Sequence, residues 1–262
     1  MPIIVSQGAS VIARPNLLIL GGTTEATALC GVVHGAGLTA TVSYAGRVAR
    51  PAEQPVPHRI GGFGGINGLT DYIVSQGITH LVDATHPFAA QMSHNAVAAA
   101  RAAGIPVCAV SRAPWTPQAG DHWRRVQDIP AAVTALAGPP RRVMLALGRM
   151  HLSAFTAHPQ HFYLLRLVDP PTSPLGLPNC YVEVARGPFK TADDVQLMQT
   201  HDIDLVVSKN AGGTGAYAKI EAARALKLPV VMIDRPILPD RVVFTQARDV
   251  LGWVQEITLR GV

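Results

Sequence analysis

Short apolar runs alternate with segments of helical period along most of the chain. Residues 16–20, 39–44, 79–83 and 105–110 are runs rich in Leu, Val, Ile, Ala and Thr, bounded by Gly, Pro or polar residues, and they predict strands. Residues 24–35, 66–76 and 88–103 carry apolar positions three and four apart and predict helices. The pattern then starts again. Strands are predicted at 143–147, 161–168, 180–184, 204–208 and 229–233, with helices near 191–201, 216–227 and 246–257. Such alternation belongs to parallel sheets flanked by helices, so the fold class is α/β. Gly138-Pro139-Pro140 cannot continue a helix, and a fresh apolar run follows it. The expected boundary therefore divides the chain into two similar α/β lobes, 1–138 and 139–262. Ligands of open parallel sheets lie beyond the carboxyl ends of the strands, which predicts a substrate cleft between the lobes.

The most informative break follows the first strand, where Leu20 gives way to Gly21-Gly22-Thr23-Thr24-Glu25 and then to a helix. Glycines let backbone N–H groups approach an anion, threonine hydroxyls cap the helix or donate to a phosphate, and the helix start adds positive potential. Glu25 either complements the helix dipole or accepts from ligand hydroxyls. A full G-x-G-x-x-G is absent, and an ordinary tight strand-to-helix connection uses the same residues. The second strand tips the balance. About twenty residues on, where a dinucleotide fold places an acid for the ribose 2′-hydroxyl, the chain has Ser43 and Arg47 and no Asp or Glu. A hydroxyl and a guanidinium suit a 2′-phosphate. The expected cofactor is NADPH, held by Gly21, Gly22, Thr23, Thr24, Glu25, Ser43 and Arg47, with Gly22 admitting the pyrophosphate. The glycine-rich loop 61–65 bends sharply or lets a ligand come close, which adds Gly62 and Phe63 to the cofactor contacts; a mobile connection is the alternative.

Composition narrows the partners. The 262 residues are 48% hydrophobic, enough for one large or two small cores, and the net charge of +5 favours an acidic ligand. Basic residues are scattered and aromatics make up only 5%, so no stacking platform for nucleic acid is expected. Cys30, Cys108 and Cys180 are far apart, which gives neither a disulfide framework nor a metal spacing and points to a reducing cytoplasm. His86 and His94 do not have the spacing of a zinc helix, so no metal is expected. No apolar run approaches the roughly twenty residues of a membrane helix. The first residues lack the basic start of a signal peptide and read as an extended tail or an extra edge strand.

Polar groups at the predicted strand ends supply candidate chemistry. Asp83-Ala84-Thr85-His86-Pro87 closes one strand, with Pro87 suited to a first helical turn, so His86 projects at the carboxyl edge where it can bind a carboxylate or deliver a proton. The alternative is that Asp83 or Thr85 caps the helix and His86 packs on the loop. In the second half Lys209-Asn210-Ala211-Gly212-Gly213 offers a lysine and amide donors to an anionic substrate. It is not a Walker loop, and Tyr217 and Lys219 are too close in sequence for a Tyr-x-x-x-Lys pair. Arg112, Arg149, Arg166, Arg186 and Arg235 stand at or near strand ends and together suit a ligand with several carboxylates. Lys209 and His86 are the candidate catalytic residues. Thr85, His86, Arg149, Arg166, Lys209, Asn210, Gly212 and Gly213 are the candidate substrate contacts.

Taken in order, residues 19–26, 43–47, 59–65, 83–89, 208–213 and 219–236 resemble the motifs of the precorrin-6A reductases of the cobalamin pathway. The resemblance covers nearly the whole chain. It implies two Rossmann-like domains with the substrate held between them. It also implies reduction by NADPH of one double bond in a many-carboxylate tetrapyrrole, giving precorrin-6B. A reductase of the cobalt-containing macrocycle, or a nucleotide-binding module without turnover, is the alternative; the latter leaves the Lys209 loop unexplained.

Overall fold

The computed structural model describes residues 14–46 and 53–260. Arg47 and residues 1–13, to which the sequence assigned a phosphate contact and a tail or edge strand, lie outside them. The described residues form two compact units, one made of those up to Ser111 together with those from Leu238 on, the other Arg112–Ile237.

The first unit is built on β1 (Asn16–Leu20), β2 (Thr39–Tyr44), β3 (His58–Ile60), β4 (His80–Asp83), β5 (Val107–Val110) and β12 (Val242–Phe244), in the order β12-β5-β4-β1-β2-β3. Every pairing is parallel, so all carboxyl ends lie along one edge. Side chains along β1 alternate between faces. Leu17 and Ile19 pack with Leu29, Cys30 and Val33 of α1 (Thr24–Gly35) and with Val250, Trp253 and Val254 of α7 (Asp249–Arg260). Leu18 and Leu20 pack on the other face with Leu69 and Ile73 of α2 (Gly65–Ser75) and Ala96 and Ala99 of α3 (Ala90–Ala103). Buried from both sides, such a strand reads as a continuous apolar run, which is why it is visible in the sequence.

The second unit repeats the plan. Its strands are β6 (His122–Val126), β7 (Arg142–Ala146), β8 (Phe162–Leu167), β9 (Cys180–Val184), β10 (Leu205–Lys209) and β11 (Pro229–Ile233), again all parallel, in the order β6-β11-β10-β7-β8-β9. Met198 of α5 (Thr191–Thr200) and Ile220, Ala222 and Ala223 of α6 (Ala218–Ala225) cover Met144, Leu164, Val206 and Met232. A short helix α4 (Ile129–Ala135), started by Pro130 and capped by Asp128, and a 3₁₀ segment Arg149–Ala157 complete the unit.

The boundary expected at 138/139 does not divide the sheets. Each half of the sequence supplies five consecutive strands to its own sheet, and its sixth strand goes to the other one: β6 pairs with β11, and β12 pairs with β5. Gly138-Pro139-Pro140 is therefore a loop inside the second unit, marking where the strand–helix pattern restarts in sequence. Pro87 also differs from expectation. Residues 86–89 form a turn closed by Ala89 N–H donating to the His86 carbonyl at 2.7 Å, and α3 starts only at Ala90 with no side-chain cap.

The exchanged C-terminal segment is tied to its host by a buried ion pair. Arg241 Nη2 lies 3.1 Å from Asp83 Oδ2, with side chains 7% and 2% exposed. Truncating one partner of such a pair leaves a buried charge uncompensated. Arg241→Met is expected to lower unfolding stability by about 3–5 kcal/mol, with part of the loss recovered in Asp83→Asn/Arg241→Met. Urea unfolding of the three variants measures this, and wild-type stability in Arg241→Met alone would refute it.

Candidate active site

In the first unit the turns after β1 and β4 lie side by side, because Leu20 is in register with Asp83. Gly21 donates its N–H to the Ser43 carbonyl at 2.9 Å, and a Cβ there would meet Val42 Cγ2 at 2.8 Å, so it must be glycine to pass β2. Gly22 has φ +117 and nothing within 4 Å of where a Cβ would stand. Its glycine serves a backbone conformation that L-residues rarely adopt, and it borders open space. Thr23 is the N-cap of α1: its hydroxyl accepts from Ala26 N–H at 3.1 Å and donates to the Ala84 carbonyl at 2.7 Å. The hydroxyl is thus taken up in joining the two turns, and the amides at the helix start are the groups left to face an anion. Thr24 donates to the Glu25 carboxylate at 3.3 Å.

Ser43 is buried, and its Oγ accepts from Arg59 Nη1 at 2.7 Å. The same guanidinium donates to the carbonyls of Gly61 and Gly62 at 3.0 and 3.2 Å and stacks 4.0 Å above the Phe63 ring. Gly62 and Phe63 therefore hold Arg59, a residue the sequence reading quoted within a motif but did not place in the site. Its strand, β3, is only three residues long and carries no apolar run.

After β4, Asp83 organises the turn. Its Oδ1 accepts from Thr85 N–H and Oγ at 3.1 and 2.6 Å, and its Oδ2 accepts from Ser93 Oγ at 2.6 Å beside Arg241. Thr85 is consequently a turn residue whose donors point at Asp83. His86 Nδ1 accepts from Phe88 N–H at 3.2 Å, which places the proton of the neutral ring on Nε2.

In the second unit Lys209 closes β10 and its Nζ donates to the Leu147 carbonyl at 3.3 Å, bridging the loops that follow β10 and β7. Arg149, on the second of these loops, is exposed and donates to the hydroxyls of Thr172 and Ser173, each at 3.2 Å. The other expected substrate contacts have internal partners. Arg166, its side chain 9% exposed, forms a two-pronged pair with Asp194 under Phe189, so its fork is occupied by a carboxylate of the protein. Asn210 is buried and grips the Trp115 backbone with both ends of its amide, Oδ1 accepting at 2.7 Å and Nδ2 donating at 2.9 Å. Gly212 has φ +72, and a Cβ on it would overlap the Ala113 carbonyl and the Arg235 guanidinium; the Gly213 carbonyl accepts from Trp115 Nε1 at 2.7 Å. These three residues fasten the 112–115 segment. The glycines also look alike in sequence whether they pack or bind.

Lys219, in the first turn of α6, is buried, donates to the Ala216 carbonyl at 2.6 Å and lies 5.0 Å from the centre of a Trp115 ring. Burial, then the Arg166 charge, pull its pKa down to about 7, with Arg112 adding and Asp194 opposing. Among the described residues no group of three or more His, Cys, Asp or Glu could hold a metal ion, and no helix is long and apolar enough to cross a membrane.

The Lys219 shift has a testable sign. The unfolded lysine titrates near 10.5 and the folded one near 7, so the unfolded chain binds more protons between those values and stability rises with pH across that window. Lys219→Met removes this rise. Unfolding midpoints measured from pH 7 to about 9.5 should move in favour of wild type relative to the variant. Parallel curves would show that folding does not lower the Lys219 pKa.

A family model described as Precorrin-6x reductase CbiJ/CobK matches residues 16–255. The chain is 54% identical over 249 residues to a precorrin-6A reductase of Rhodobacter capsulatus, covering 94% of this chain and 99% of that one. It is 30% identical over 247 residues to a cobalt-precorrin-6A reductase of Priestia megaterium, covering 90% and 96%. A solved structure described as CobK precorrin-6A reductase superposes with a TM-score of 0.88 at 54% identity, covering 93% of this chain and 97% of that one. On its fold, on motifs that span both sheets and on these matches, the chain belongs to the precorrin-6x reductase family of cobalamin biosynthesis.

Proposed function

We propose that the protein catalyses the NADPH-dependent reduction of one double bond of the precorrin-6A macrocycle, giving precorrin-6B. One observation carries the cofactor half of this reading: the turn after β1 presents Gly22 and the start of α1 to open space, beside a β2 end that lacks the acid of an NAD site. Gly21, Gly22 and the α1 amides would hold the pyrophosphate. When bound, the nicotinamide supplies a hydride to one atom of the macrocycle.

The chain's own residues must then align the rings and handle the proton and charge on the neighbouring atom. His86, its Nδ1 accepting from Phe88, is assigned to polarise the acceptor through Nε2. Lys209 carries a cation and transferable protons at the corresponding strand end of the second unit, and it is assigned the stabilising or proton-donating role, with solvent as the alternative proton source. Arg149, exposed and held by hydroxyls, suits a substrate carboxylate. The cobalt-free macrocycle is favoured because the 54% relative carries that name, whereas the cobalt-precorrin relative stands at 30%.

Incubating the protein with NADPH and either macrocycle tests the reading directly. NADPH oxidation and a gain of two hydrogens are expected with precorrin-6A. NADPH binding without turnover of either macrocycle would leave a binding module and overturn the enzyme assignment. Lys209→Ala is expected to keep NADPH affinity and lose roughly ten- to a thousand-fold in kcat. Unchanged kcat and KM would remove Lys209 from the reaction.

A further inference from the structure

We propose that Arg59, held in place by Ser43, is the residue that selects the 2′-phosphate of NADPH against NADH. This rests on the NADPH reading above and names the group that makes the discrimination, a task the sequence pattern gave to Arg47.

The placement follows from register. Leu20 of β1 is level with Ser43 of β2, and Ser43 is level with Arg59 of β3. The three residues form a row along the carboxyl edge, beginning beside the Gly21-Gly22 turn, with neighbouring strands about 4.8 Å apart. The Arg59 side chain leans back along this row to reach Ser43 Oγ at 2.7 Å, so its guanidinium stands at the end of β2. A dinucleotide fold reads the ribose 2′ position at that strand end.

The donors available there fit a phosphate. Of the five N–H groups of a guanidinium, three go to Ser43 Oγ and to the carbonyls of Gly61 and Gly62. The Nε–H and one Nη2–H have no partner among the described residues. All three acceptors in use are neutral oxygens, so the positive charge is held in place but not cancelled. The Phe63 ring 4.0 Å beneath the guanidinium and the Tyr72 ring at 5.1 Å fix its plane. Ser43 is a positioning residue here: its hydroxyl is oriented by Arg59 and has one hydrogen left to donate.

The full-length protein is titrated with NADPH, NADH, adenosine 2′,5′-bisphosphate and 5′-AMP, read by calorimetry. Wild type should prefer NADPH over NADH, and the bisphosphate over 5′-AMP. Arg59→Gln should lose roughly ten- to a hundred-fold of affinity for the two 2′-phosphorylated ligands while NADH and 5′-AMP stay within about two-fold of wild type. Arg59→Lys keeps the charge without the fork and should fall between. Ser43→Ala leaves Arg59 present but unpinned and should weaken the preference only a few-fold. Equal weakening of all four ligands in Arg59→Gln would mean that the residue merely supports the loop, and would overturn the proposal. So would a retained preference, which returns the role to Arg47. If wild type binds no dinucleotide, the cofactor reading itself fails and this proposal falls with it.

Discussion

A parallel sheet cannot close its own edge with a hairpin, and each fifth strand of this protein is covered by a strand that belongs, in sequence, to the other half. That exchange makes the chain cross between units near 111/112 and again near 237/238. Both crossings are clamped by arginines. Arg235 donates to the carbonyls of Asn210, Ala211 and Arg112 at 2.8–3.0 Å, and Arg112 Nε donates to Ala211 at 2.9 Å. Six residues later, Arg241 pairs with Asp83 in the first unit. Apart from the Arg112 carbonyl, the oxygens that receive these guanidiniums belong to the loop that follows Lys209 and to the aspartate that shapes the His86 turn. The arginines that flank the two crossings thus also hold the segments that carry the proposed reactive residues.

The proposed site separates into backbone at open turns and side chains that hold those turns in shape. Thr23, Thr85 and Asn210 have the residue types of ligand contacts, yet their polar groups close the protein's own turns. A buried hydroxyl or amide left to await a ligand would be unsatisfied whenever the ligand is absent, at a cost of roughly 1–3 kcal/mol. Helix-start amides and cations at the sheet edge escape this penalty because water reaches them.

Much of the fold is legible in the sequence because strands buried on both faces read as continuous apolar runs. β1, β2, β9 and β11 occupy their predicted positions. Three of the four edge strands escape: β3 is His58-Arg59-Ile60, β6 is His122-Trp-Arg-Arg-Val126, and β12 is a three-residue strand with Val242 and Val243 exposed, whereas the fourth, β9, is partly exposed and still stands where it was predicted. An edge strand has little surface to bury, so its composition carries little signal. Missing β6 and β12 hides the exchange, and the sequence repeat then passes for the spatial boundary. The site follows the same logic. The glycine turn and the lysine-ended strand stand out as breaks in apolar runs, whereas the Arg59–Ser43 and Arg166–Asp194 pairs depend on strand register and on partners 16 and 28 residues away.

The arginines show why a residue count cannot find the ligand groups. Of those grouped by their strand-end positions, Arg166 and Arg186 pair with Asp194 and Asp169, and their charge is answered within the protein. Arg149 is held instead by two hydroxyls, and Arg59 by a hydroxyl and two carbonyls. Neutral oxygens orient a guanidinium through hydrogen bonds and leave its monopole intact, whereas a carboxylate orients it and cancels it. A cation meant for an external phosphate or carboxylate needs the first kind of support. By that criterion the net charge of +5 matters less as a total than for its placement, and the anion-seeking groups are identified by the oxygens that hold them.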